Sequence, residues 1–252
     1  MARWTAPDGV GIEYEVHGAG PAVLLLHGFG SNARINWVRP GVVDALVHAG
    51  FLAVAYDARG HGRSDAPHDP ASYADNAMVR DAEGLVDHLG LGELAVVGYS
   101  MGAQVAAWLV PEEPRVRRAV LGGIGTRLLA PAAGEERYPA VAIAEALEAA
   151  DPTQVTAPTP RAFRAFADAT KADRLALAAL QRSRVVEGHP ELQSISVPVL
   201  IVAGDRDTLI GDPQAVARAL PDARVAVVPG DHLSAVVSPA FAEAVVGFLT
   251  GR

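Results

Sequence analysis

With 252 residues, 50% of them hydrophobic and 20% charged, the chain has material for one large domain with a substantial core and too little length for two. A formal net charge of −8, with Lys171 as the only lysine, speaks against a nucleic-acid partner, which requires a basic patch. Cysteine is absent, which excludes disulfides, thiolate metal sites and cysteine nucleophiles and fits a reducing cytoplasm.

Residues 1–16 carry Asp8, Glu13 and Glu15 and no apolar signal-peptide core, and no apolar run is long enough to span a bilayer. A soluble, cytoplasmic protein with no membrane partner is expected. After the Asp8-Gly9 turn signal, residues 11–16 alternate and predict an antiparallel hairpin at one sheet edge. Six apolar runs follow, at 22–26, 52–56, 94–97, 116–121, 199–202 and 225–228, each reading as a strand buried on both faces. Between most of them lie helix-patterned segments, at 42–49, 74–89, 102–109, 214–220 and 239–249, the alternation of a parallel sheet. The pattern breaks from 123 to 196, where helices at 139–150, 160–170 and 172–183 predict an inserted helical cap on a core of 1–122 and 197–252.

The sharpest chemical signal is Gly98-Tyr99-Ser100-Met101-Gly102, directly after one strand run and directly before a helix. So tight a turn requires glycine on both sides and leaves the serine hydroxyl exposed, which makes Ser100 the nucleophile candidate; the alternative is a plain helix cap. A serine hydroxyl needs a base. Of the eight histidines, His232 follows the last strand run and is placed to reach the same sheet end, whereas His48, His68, His88 and His189 lie in settings without a partner pattern. His27-Gly28-Phe29-Gly30 ends another strand at that end, where His27 is expected to brace the loop. The backbone N–H groups of Phe29 and Met101 are the natural pair of oxyanion donors. For the acid, Asp205, Asp207, Asp212 and Asp231 all fall near the catalytic end.

Together with Asp57-Ala58-Arg59-Gly60-His61-Gly62-Arg63-Ser64, Gly204-Asp205-Arg206-Asp207 and Gly230-Asp231-His232, these motifs resemble the α/β-hydrolase superfamily, in its capped serine esterase, C–C hydrolase and haloperoxidase-like (perhydrolase) branch. The resemblance covers nearly the whole chain and implies an α/β fold: a mostly parallel eight-stranded sheet with helices on both faces and a helical cap. It places the acid three residues beyond Gly204, at Asp207, leaving Asp205 to a bond within its own loop and Asp212 to cap the next helix. It assigns Asp57, Arg59 and His61 to a structural turn. Asp231 stands where the family often has glycine, a departure that bears on the histidine loop.

The implied activity is cleavage of a carboxylic ester, thioester or lactone by Ser100, His232 and Asp207, with no cofactor and no metal. Relatives that cleave epoxides or haloalkanes use aspartate as nucleophile, and the hydroxynitrile lyases place lysine where Leu233 stands. Alternatives are C–C hydrolysis of a diketone-like ring-fission product and a hydrolase-fold ligand receptor with low turnover. Phe163, Phe166, Leu175 and Leu177 give the cap its apolar content, with docking on the sheet their first expected role. Partners beyond a small-molecule substrate are not indicated.

Overall fold

The computed structural model describes residues 1–129, 139–183 and 190–251. Eight strands are described: β1 Ala2–Thr5, β2 Gly11–Gly18, β3 Ala22–Leu26, β4 Leu52–Tyr56, β5 Leu94–Tyr99, β6 Val116–Gly122, β7 Val199–Gly204 and β8 Ala223–Val228. They form one sheet in the order β1-β2-β4-β3-β5-β6-β7-β8, antiparallel only where β2 meets β1 and β4. Helices α1 Val42–His48, α2 Ala77–His88, α3 Met101–Glu112, α8 Pro213–Ala219 and α9 Pro239–Leu249 are crossovers or flank the sheet. Four more, α4 Thr126–Leu129, α5 Ala140–Glu148, α6 Pro158–Thr170 and α7 Arg174–Ser183, all fall between β6 and β7.

Period-2 alternation sorts the central strands between two cores. Val23, Leu25, Ala53, Ala55, Ala95 and Val97 pack with Trp37, α1 and α9 on one face. Leu24, Leu26, Val54, Tyr56, Leu94 and Val96 pack with α2 and α3 on the other. Such continuous apolar runs are what a parallel sheet covered on both faces demands, each buried Leu or Val contributing about 1.5–3 kcal/mol. Residues of α5, α6 and α7, among them Ile143, Ala167 and Leu177, belong to the same cluster as the second face, so this layer shares the sheet's core.

Several local readings need correction. The last strand is not buried on both faces: β8 is the sheet's edge, and Val227 is 63% exposed, because no strand among the described residues pairs beyond it. The helix expected from residue 74 starts at Ala77, after a short 3-10 turn over Pro70–Tyr73 capped by Asp69. Leu175 is exposed, whereas Leu177 is buried, because the two lie on different faces of α7. His68 does have a partner: its Nε2 lies 3.0 Å from Asp173, the residue before α7. His189 lies outside the described residues. No described helix is long and apolar enough to cross a membrane.

Candidate active site

The connection leaving β3 runs to β4 on one side and the connection leaving β5 runs to β6 on the other, so the two diverge and open a crevice beyond the carboxyl ends of β3 and β5. The loop after β3 carries His27-Gly28-Phe29-Gly30, and the turn after β5 carries Ser100. That turn is strained: Ser100 has φ 52° and ψ −109°, a conformation non-glycine residues seldom adopt. A Cβ at Gly98 would overlap the Gly102 backbone, and one at Gly102 would overlap the Leu26 carbonyl, which is why both flanks are glycine. The Ser100 side chain does not cap α3.

Instead its hydroxyl meets His232. Ser100 Oγ lies 2.8 Å from His232 Nε2, and His232 Nδ1 lies 2.8 Å from Asp207 Oδ2. The Asp207 side chain is 0% exposed and that of His232 13%. A carboxylate only accepts, so Nδ1 carries the proton and Nε2 turns its lone pair to the Ser100 hydroxyl. The second carboxylate oxygen, Oδ1, accepts from the Leu209 N–H at 3.0 Å and fixes the side chain's rotation.

The other aspartates hold loops. Asp212 caps α8 through the Gln214 N–H. Asp205, expected to bond within its own loop, reaches across instead: its Oδ1 accepts from the Gly230 N–H at 2.8 Å, because Gly204 and Gly230 bring the two loops together. Asp231 braces the histidine loop, accepting from the N–H groups of Leu233 and Ser234 and from the Ser234 hydroxyl, and these bonds hold its carboxyl below the usual range.

On the opposite wall, the Gly28 N–H donates to Asn36 Oδ1 at 2.8 Å, and His27 Nε2 accepts from the Ala58 N–H at 3.0 Å. Burial pushes His27 down to about 4 and His61, in ring contact with it, to about 3, so both are neutral braces. Arg59 is buried in a bidentate pair with Asp81, both contacts 2.6 Å, and Asp57 accepts from the Ala33 and Arg63 N–H groups. A Cβ at Gly28 would sit 3.7 Å from the Ser100 Cβ, so the loop reaching Phe29 passes beside Ser100. Met101 opens α3, where the first N–H groups have no partner within the helix.

Above this wall stand α6 and α7. Phe163 meets Phe29 edge-on at 5.8 Å, a Cβ at Gly30 would sit 3.2 Å from Phe166, and the Thr170 hydroxyl lies 2.9 Å from the Gly30 carbonyl. A neighbouring cleft of about 270 Å³, with Glu13, Asp57, Arg63 and Asp173 in its wall, shares Gly30, His61 and Thr170 with this wall and includes none of Ser100, Asp207 and His232. Sequence reasoning missed Asn36, Thr170 and the tie from His68 to Asp173, since none sits in a motif.

A family model described as alpha/beta hydrolase fold matches residues 21–150, just over half of the chain. The chain belongs to that family. This alpha/beta hydrolase is similar, at 29% identity over 88% of its length and 85% of the relative's, to 2-(acetamidomethylene)succinate hydrolase of Mesorhizobium japonicum. It is 37% identical to an epoxide hydrolase of Caballeronia sordidicola over 46% of the chain. The chain spans only about a third of the length of such curated relatives, 35% of that one and 30% of epoxide hydrolase 2 of Siraitia grosvenorii. Among solved structures, a hydrolase from Pseudomonas aeruginosa matches with a TM-score of 0.78 and 28% identity over 98% of this chain and 97% of that one. The enol-lactonase from Burkholderia xenovorans matches with a TM-score of 0.74 and 25% identity over 99% and 100%.

Proposed function

We propose that the chain is a serine hydrolase that cleaves a carboxylic ester, thioester or lactone through an acyl-enzyme on Ser100. The observation that carries this reading is the unbroken relay from the Ser100 hydroxyl through His232 to the buried Asp207, with both contacts at 2.8 Å. His232 Nε2 takes the hydroxyl proton as Ser100 Oγ attacks the carbonyl carbon. The resulting oxyanion is met by the N–H groups of Phe29 and Met101. Collapse breaks the bond to the leaving group, which receives the proton from Nε2. Water, activated by the same nitrogen, then releases the acid and restores Ser100. Asp207 holds the imidazole in the tautomer this cycle needs and stabilises the imidazolium.

Helices α5, α6 and α7, described within residues 123–196, act as the cap in this reading. Phe163, Phe166 and Leu177, close to Phe29 and Gly30, give the acyl group an apolar wall, so a small to medium apolar substrate is favoured. The substrate is the only partner invoked, the cytoplasm the compartment, and no cofactor enters the cycle. Serine at the elbow favours acyl transfer over epoxide opening, despite the local likeness to epoxide hydrolases. The test is a panel of acyl esters of graded length, lactones, a ring-fission diketone and an epoxide, run on the wild type and Ser100→Ala. Ester or lactone turnover lost in the variant is expected; turnover of the diketone or epoxide alone would replace this reading.

A further inference from the structure

His232 sits on a loop that leaves the exposed edge strand β8, yet its ring must meet two partners at 2.8 Å. Upstream of the ring, the loop is held at Gly230 by Asp205, at 2.8 Å, and by the Arg206 N–H on the Gly230 carbonyl, at 3.0 Å. Asp231 before the ring and Ser234 after it close the loop around it. At the base itself one further bond is made: the Tyr99 hydroxyl donates to the His232 carbonyl at 2.7 Å.

Tyr99 is well placed to hold it. It ends β5, is 3% exposed, lies 5.7 Å from the His232 ring between centroids, and meets Phe241 edge-on at 5.7 Å. Its slot is cut by two consecutive glycines at the end of β6. A Cβ at Gly122 would sit 2.8 Å from the Tyr99 ring, and one at Gly123 2.7 Å. This gives Gly122-Gly123 a physical purpose. Burial raises the Tyr99 phenol further above the neutral range, so its proton stays available for donation.

We propose that Tyr99 is a positioning residue for His232, mounting nucleophile and base on one rigid dipeptide. Its backbone leads directly into Ser100 while its hydroxyl anchors the base's main chain, so one residue ties the turn that carries Oγ to the loop that carries Nε2. The proposal rests on the reading of Ser100 and His232 as nucleophile and base. A displacement of the base by a fraction of an ångström lowers turnover without touching the substrate's binding surface.

Tyr99→Phe removes only the oxygen. In the full chain it is expected to lower kcat about 10-fold with KM within about twofold of wild type, in protein that still unfolds cooperatively. The low-field proton resonance of His232 Nδ1–H, identified by its loss in His232→Gln, is expected to broaden in Tyr99→Phe. Wild-type kcat together with an unchanged resonance would overturn the proposal. If the wild-type chain hydrolyses no ester and takes no fluorophosphonate, the functional reading fails, and the resonance still decides whether Tyr99 holds His232. Should Tyr99→Phe not fold, Gly122→Ala keeps the hydroxyl but crowds the ring, and the same losses are expected, with wild-type values again overturning the proposal.

Discussion

Asp207→Asn separates geometry from electrostatics at the site, and its outcome follows from one bond outside the relay. In the native chain Asp207 Oδ1 accepts from the Leu209 N–H at 3.0 Å while Oδ2 accepts from His232 Nδ1–H at 2.8 Å. An amide has one acceptor. If it stays on Leu209, the NH2 faces Nδ1, the imidazole proton moves to Nε2, and Ser100 loses its base. That state costs up to about 10⁴-fold in turnover by the triad template, or about 5.4 kcal/mol. If the amide flips to keep the productive tautomer, the Leu209 N–H and an amide N–H face each other unpaired. That orientation costs at least about 2 kcal/mol, or about 30-fold. The expected loss in kcat/KM therefore lies between about 30-fold and 10⁴-fold, measured by steady-state ester hydrolysis on variant whose thermal unfolding is cooperative. A folded Asp207→Asn protein within about fivefold of wild type would refute the assignment of the acid and the tautomer argument with it.

Acid should weaken the fold before it protonates the carboxylates. His27 and His61 are held near 4 and 3 against 6.5 when unfolded, so below pH 6.5 the unfolded chain binds protons that the folded chain refuses. Stability is full above that pH and falls by about 4 kcal/mol for the pair by pH 5, which urea unfolding at pH 7.5 and pH 5 would read; equal midpoints and slopes at the two pH values would contradict it. Asp81→Ala, which strands the buried Arg59 guanidinium, is expected to cost about 3–5 kcal/mol in the same assay. A loss under about 1 kcal/mol would show that Asp8 and the Ser72 carbonyl suffice as Arg59 partners.

What the sequence reveals and what it conceals divide along physical lines. Buried parallel strands such as Ala22–Leu26 announce themselves as apolar runs, and the Gly98 and Gly102 flanks of Ser100 announce a turn too tight for side chains. The edge position of β8 is invisible, because Val225 and Val227 read as apolar whether or not a ninth strand covers them. Contacts between loops distant in the chain are equally hidden: Asp205 to Gly230, Thr170 to Gly30 and Tyr99 to the His232 carbonyl join backbone groups, which carry no residue signature. Asp231 reads as a departure from the family's usual glycine, yet it braces its loop because Ser234, three residues on, supplies both a donor and an acceptor.

The central claim is that Ser100 is a nucleophile activated by His232, and the most direct test is covalent. Intact-mass spectrometry after exposure to a fluorophosphonate should show a single adduct, mapped by peptide fragmentation to Ser100, absent in Ser100→Ala and strongly slowed in His232→Gln. An adduct that persists in folded Ser100→Ala, or a wild-type chain that hydrolyses esters yet never acquires one, would contradict the account.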